Sequence, residues 1–449
     1  MRAAIATVLP LFFCATLAAQ WSIAGPPTSP GNRAGHAMAG DGLGNVVLFG
    51  GTAAFAPTNQ TWRFDGFTWT QLAPAAAPTA RSLASLVHDP VRGRYVLYGG
   101  WTSAVSIGTA SNQTWEFDGA NWTQVVPPTS PPGLWKHGAC FDAARNRVVV
   151  YGGARNGFPI AENATWEFQG ANWTQVATTS NPGPLERPAM CYATAFGYTV
   201  LFGGVDPQTG GSDATWSYNG ASWQVLPIVG PRPPARGGAQ LAYDSIRNVC
   251  VLTGGLDPVT GTPCTDTWEL DGGTWTLLPG SFAPGRDFGL AFDPVRRFVV
   301  RHGGIAGAAT NGQTWLFGAR SELYGAGCPG SNGVPALTAG DGPRLGAGWP
   351  LTLANANLNA PVAALVLGLA NAPGVPLDGI GMPGCTAWAS ADVLLVAPAT
   401  NGAAAWSVQL PANAGLVGVQ LYAQGLSLDL GWNPAGLVSS NAVDGLAGR

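Results

Sequence analysis

The sequence predicts an all-β chain, a six-bladed β-propeller followed by a small β-sandwich. Three observations carry that expectation. A Gly-Gly pair recurs at Gly50/Gly51, Gly99/Gly100, Gly152/Gly153, Gly203/Gly204, Gly254/Gly255 and Gly303/Gly304, at intervals of 49, 53, 51, 51 and 49 residues. Each pair is followed by Thr-Trp, and all but the last of those Trp residues have a second Trp seven positions on. Short apolar runs broken by turn residues fill the intervals, without helical periodicity. A period of about 50 residues marks one supersecondary unit repeated around a fold.

The segment ahead of the repeats has a different character. Arg2, the apolar stretch Ala3 to Leu17 and the small residues Ala18 and Ala19 before Gln20 have the layout of a secretory leader. Residues 1–19 are therefore expected to be removed, and the chain to be exported: secreted, periplasmic or at the cell surface. Later apolar stretches are all broken by Gly, Pro or polar residues, so no membrane span is expected.

The second unit shows how one repeat folds. Leu83 to His88 is a first strand, Asp89-Pro90-Val91-Arg92-Gly93 a turn, and Arg94 to Tyr98 a second strand ended by Gly99-Gly100. Gln113 to Phe117 is a third strand, Asp118-Gly119-Ala120-Asn121 a tight turn, and Trp122 to Val126 a fourth. Asp142, Asp244 and Asp293 recur at the position of Asp89 and are read as turn residues. Four antiparallel strands describe one blade.

The sixth unit lacks the second Trp, since Trp315 is followed by Leu316-Phe317-Gly318. Trp21, 30 residues before Gly51, replaces it; Trp69 and Trp173 stand 31 residues before Gly100 and Gly204. Residues 20–24 are thus expected to close the last blade, giving a propeller over 20–319 with no open edge. The repeated Trp residues are expected to be core between blades.

The Gly-Gly after the second strand, the paired aromatics and the period resemble the kelch repeats of the galactose oxidase superfamily. The resemblance covers residues 20–319, and Val-Leu-Phe/Tyr-Gly-Gly is similar to the exported bacterial type. It departs from the common pattern in placing Thr-Trp where a Tyr often falls. It implies a propeller whose loops bind ligands. The copper chemistry of that superfamily needs two His, a Tyr and a Cys-crosslinked Tyr, and His36, His88, His137 and His302 fall into no such constellation. No metal and no cofactor are expected.

From residue 320 the period stops. Apolar runs at Leu351 to Leu353, Ala363 to Leu369, Asp392 to Val396, Ala405 to Leu410 and Leu416 to Ala423 predict a sandwich of seven or eight strands over 320–449. Tyr324 to Gly330, Gly384-Cys385, Leu421 to Gln424 and Ser440 to Ala442 resemble a C-terminal module of planctomycete secreted proteins. Export permits disulfides. Cys328 with Cys385 is the favoured pair; Cys250 with Cys264 is a second option, and Cys140 and Cys191, at equivalent repeat positions, are read as buried thiols.

The net charge of −3 and the single Lys, Lys136, leave no broad phosphate-neutralising surface, so nucleic acid is not an expected partner. No Gly-x-Ser-x-Gly is present, and no pair of acids is singled out for glycoside hydrolysis. A cation does recur before each first strand: Arg33, Arg81, Lys136, Arg187, Arg236 and Arg286. First strands line a propeller's axis, so these residues could ring one mouth and bind carboxylate, sulfate or sugar acids. The alternative is that each hydrogen-bonds the neighbouring blade's loop. Trp101 and Trp135 break the repeat and suit stacking on sugars, or pack locally. The function expected is an exported, non-catalytic binding protein presenting loops to a carbohydrate or protein ligand. The alternatives are a sugar-acid mutarotase- or epimerase-like enzyme using the channel, and a structural protein of the cell envelope.

Overall fold

The computed structural model describes residues 20–446 apart from 54–55, 103–108, 157–160, 279–283, 308, 320, 325, 340–342, 344–347 and 412–418. The expected leader, residues 1–19, lies outside the described residues. The chain is all-β, with one 3-10 turn at Asp378–Ile380 among the described residues. No helix there is long and apolar enough to cross a membrane.

Six four-stranded antiparallel sheets follow the sequence period. In the second, Ser85–Asp89, Arg94–Tyr98, Thr114–Phe117 and Trp122–Val125 pair in chain order, within two residues of the expected bounds. The first strands of successive sheets are neighbours in a closed cycle, with Gly289–Asp293 of the sixth sheet beside Ala37–Gly40 of the first. The sixth sheet is completed by Gln20–Ala24, whose Trp21 stands opposite Phe317 on Thr314–Ala319.

Local chemistry repeats with the sheets. Asp89 Oδ1 accepts the N–H groups of Val91 and Arg92, and Asp244 and Asp293 cap their turns in the same way. The turn arginine then reaches back to its Asp: Arg92 Nε lies 2.7 Å from Asp89 Oδ2. Its guanidinium stands over Phe168 of the next sheet, as those of Arg145, Arg247 and Arg296 stand over Tyr218, Phe317 and Phe67. Glycine at the paired positions is required by crowding as well as by φ. A Cβ on Gly99 (φ 71°) would lie 2.4 Å from the carbonyl oxygen of Leu134, and one on Gly100 (φ 97°) 2.8 Å from Ala84 Cβ.

The sheets are joined by a ring of tryptophans. Trp122, Trp173, Trp223 and Trp275 each donate their indole N–H to the Thr that opens the third strand of the preceding sheet: Thr61, Thr114, Thr165 and Thr215, at 2.8–2.9 Å. Trp69 closes the cycle onto Thr314, and Trp21 donates to Thr267 at 2.9 Å. Trp21 therefore does in the sixth sheet what the fourth-strand Trp does elsewhere.

Beyond residue 320 a five-stranded and a three-stranded sheet face each other across a core of Leu337, Trp349, Leu351, Leu353, Ala363, Leu365 and Val443. With the hairpin Asn371–Pro376 and Thr386–Ala389 this makes ten strands among the described residues, more than the seven or eight expected. The additional ones include short segments such as Ala336–Ala339, whose apolar alternation is too brief to read from sequence. Cys328 and Cys385 form a disulfide.

Candidate functional site

Immediately before each first strand the backbone makes a second ring, at the axis. Leu83 N–H donates to Gly35 O, Lys136 to Leu83, Arg187 to Lys136, Gly238 to Arg187, Asp287 to Gly238, and Gly35 to Asp287, at 2.6–3.2 Å. All six residues have positive φ, between 53° and 75°. Two are Gly; Leu83, Lys136, Arg187 and Asp287 hold an uncommon conformation for side-chain-bearing residues, fixed here by the ring itself.

This ring divides the six sequence-predicted cations, which do not share one register. Arg33, Arg81 and Arg236 stand four residues before the first-strand residues Ala37, Ser85 and Gln240, Arg286 three before Gly289, and Lys136 and Arg187 two before Gly138 and Ala189. The first three do not reach the mouth. Each is 1% exposed, and its Nη1 donates to the carbonyl of the first paired glycine of its own sheet: Gly50, Gly99 and Gly254. Further N–H groups bond Gln60, Gln113 and Asp266, respectively. Their side chains clamp the Gly-Gly turn of their own sheet, which is neither the channel mouth nor the neighbouring blade's loop. Burial pushes Arg33 and Arg81 down to about 10, still charged at neutral pH. In the third and fourth sheets Leu134 and Leu185 occupy the clamp register, and in the sixth Gly285 does. There Arg301, from the second strand, takes the space: a Cβ on Gly285 would lie 2.7 Å from Arg301 Nη2.

Lys136, Arg187 and Arg286 do gather at the axis. Arg187 Nε lies 2.8 Å from Asp287 Oδ1 and Arg286 Nη1 2.7 Å from Oδ2, so one carboxylate is held between two guanidiniums. A cavity of about 460 Å³ opens above them, bounded by Arg187, Arg286, Asp287, Leu83, Asn32, Ile305, Ala309 and Thr310. Lys136 Nζ pairs with Glu186 Oε2 at 2.7 Å, and burial, followed by the nearby Arg187, lowers its pKa. Trp101 and Trp135 pack with ring centroids 4.7 Å apart, and Lys136 Nζ lies 3.9 Å above the Trp135 ring. Of the eight sequence-predicted site residues, the structure thus assembles Trp101, Trp135 and Lys136 in one stack and Arg187 with Arg286 in another, joined through the ring bond from Arg187 N–H to Lys136 O.

Asp287 and Glu186 were not selected from sequence as part of this cluster. The signal was present: Glu186-Arg187 and Arg286-Asp287 place an acid beside a cation where the other repeats carry no acid. Three imidazoles are held by hydrogen bonds in the propeller wall. Gly289 N–H donates to His36 Nε2, His137 Nε2 pairs with Ser85 Oγ at 2.8 Å, and His302 Nδ1 with Thr314 Oγ1 at 3.0 Å. Burial lowers all three, His137 and His302 to about 3.

A family model, the KLHDC2/KLHL20/DRC7 Kelch-repeats domain, matches residues 7–204. The match supports a kelch-repeat family. Kelch domains typically bind protein partners. No curated protein matches the chain.

Proposed function

We propose that this chain is an exported binding scaffold, not a catalyst, whose propeller presents the cavity above the axial ring to a carbohydrate or protein ligand. The observation that supports it most is the pair Arg187 and Arg286 on Asp287 at the floor of a cavity of about 460 Å³. Each guanidinium spends one donor nitrogen on Asp287, and among the described residues its other N–H groups take no partner. Two planar donors fixed by one carboxylate favour a second anionic group, such as the carboxylate of an acidic sugar. The volume suits one or two sugar rings. The Trp101–Trp135 stack offers an aromatic edge beside it.

A glycan array of neutral, uronic and sulfated sugars, read beside a peptide library, tests the proposal. Binding to acidic glycans is expected, with a loss of about tenfold or more for Arg286→Gln. An Arg286→Gln variant that binds as well as the parent overturns the site. Turnover of acidic sugars followed by NMR would replace the scaffold with a mutarotase- or epimerase-like enzyme. N-terminal sequencing of the exported chain is expected to begin at Gln20.

A further inference from the structure

Three thiols approach one another in the propeller wall. Cys191 lies on the first strand of the fourth sheet, Ala189–Ala193, and Cys250 on the second strand of the fifth, Val249–Thr253. Their sulfurs are 3.4 Å apart, across two sheets that share no ladder. Cys140 Sγ is instead paired with Thr199 Oγ1 at 3.4 Å. A bond of about 2.0 Å needs the two sulfurs to approach by little more than 1 Å. Cys191 also borders the cavity of about 380 Å³ at the turn-side mouth of the axis, which gives a small reagent a path to it. The same chain carries the disulfide Cys328–Cys385, so it folds where thiol–disulfide exchange operates.

We propose that Cys191 and Cys250 are a disulfide-forming pair that closes a covalent clasp between the fourth and fifth sheets by exchange with a small-molecule disulfide. The Cys191 thiolate attacks one sulfur of the reagent, whose S–S bond breaks and releases one thiolate. Cys250 then attacks the Cys191 sulfur of the mixed disulfide and releases the second. Two protons from the cysteines end on two reagent thiols, the reagent is reduced by two electrons and the cysteine pair is oxidised by two. Burial keeps Cys191 protonated, so exchange in the folded chain is slow and concentrates in folding or in transient opening. The two cysteines closing the loop are 59 positions apart in the chain.

The test holds the chain from Gln20 onward with oxidised glutathione, denatures it with an alkylating reagent and maps its peptides without reduction. Alkylatable cysteines are expected to fall from Cys140, Cys191, Cys250 and Cys264 to Cys140 and Cys264 alone, with a linked Cys191–Cys250 peptide. Oxidation is expected to raise the melting temperature of the parent and not of Cys250→Ala. Four alkylated cysteines, or a linkage to Cys140 or Cys264, overturns the proposal. If Cys250→Ala fails to fold, the parent's peptide map decides alone.

Discussion

Two rings of hydrogen bonds run around the propeller, and they treat side chains in opposite ways. In the outer ring the pairing of indole N–H with Thr hydroxyl repeats in all six sheets, from Trp69 and Thr314 to Trp21 and Thr267. In the inner ring the backbone repeats while the side chains do not: Gly35, Leu83, Lys136, Arg187, Gly238 and Asp287 share one conformation and little chemistry. A position that keeps its residue type is tied to packing every sheet needs. A position that keeps only its backbone is free to vary, and there charge has collected at the floor of a cavity. Repetition in this chain marks structure, and departures from it mark the candidate site.

The comparison is broken most severely by opening the outer ring. Deleting Gln20–Ala24 strips the sixth sheet of its last strand and leaves Thr267 without its indole. The folded state is expected to be lost, read as disappearance of the cooperative thermal transition; a chain that melts normally would show that closure is not needed. Trp173→Ala is next, at about 3–5 kcal/mol, with Trp223→Ala similar because both side chains are fully buried. Unequal losses in urea titration would contradict the uniformity of the ring. Arg81→Ala, which removes a donor from the Gly99 carbonyl and from Gln113 Oε1, is expected to cost about 2–4 kcal/mol and to leave the axial cavity's ligand affinity unchanged. Arg286→Gln should do the reverse.

The imidazoles between the rings add a pH dependence whose sign follows from burial. His137 and His302 titrate at about 3 in the fold and at about 6.5 when unfolded, so the unfolded chain binds more protons throughout that interval. Stability is then full above about 6.5 and falls as the pH drops toward 3. The urea midpoint at pH 4.5 is expected to lie below that at pH 7, and His137→Gln to flatten the slope. An unchanged slope would mean that acid acts through the carboxylates alone.

Much of the fold was legible because its signals are short-range and repeated. Gly-Gly, Asp-containing turns and Trp spacing each fix a local geometry, and the single Trp missing from the sixth unit located its substitute at Trp21. The site was legible only in part. Cations recur near every first strand, yet a shift of one or two residues before a strand turns a guanidinium from the cavity into a Gly-Gly clamp. Distance to the next paired glycine carried the hint: 18 residues for Arg81 and Arg236, but 16 for Lys136 and Arg187. The first sheet's shorter turn, Asp41 to Asn45, moves Arg33 to 17 and blurs it. Arg301, which fills the clamp from another strand, left no local signal at all.

The smallest expected effect separates backbone from side chain within the inner ring. Leu83 holds φ 56° with an L side chain, while Gly35 and Gly238 hold the same shape at no such cost. Leu83→Gly should therefore relieve about 1 kcal/mol of backbone strain. It should also lose part of that through a freer unfolded chain and through contact with Gly35, against which the Leu83 side chain sits. A net change within about 1 kcal/mol of zero is expected in urea titration, with Arg187 and Asp287 undisturbed and ligand affinity retained. A large loss of stability would mean that the ring depends on this side chain, and that position 83 belongs with the uniform outer ring rather than with the variable inner one.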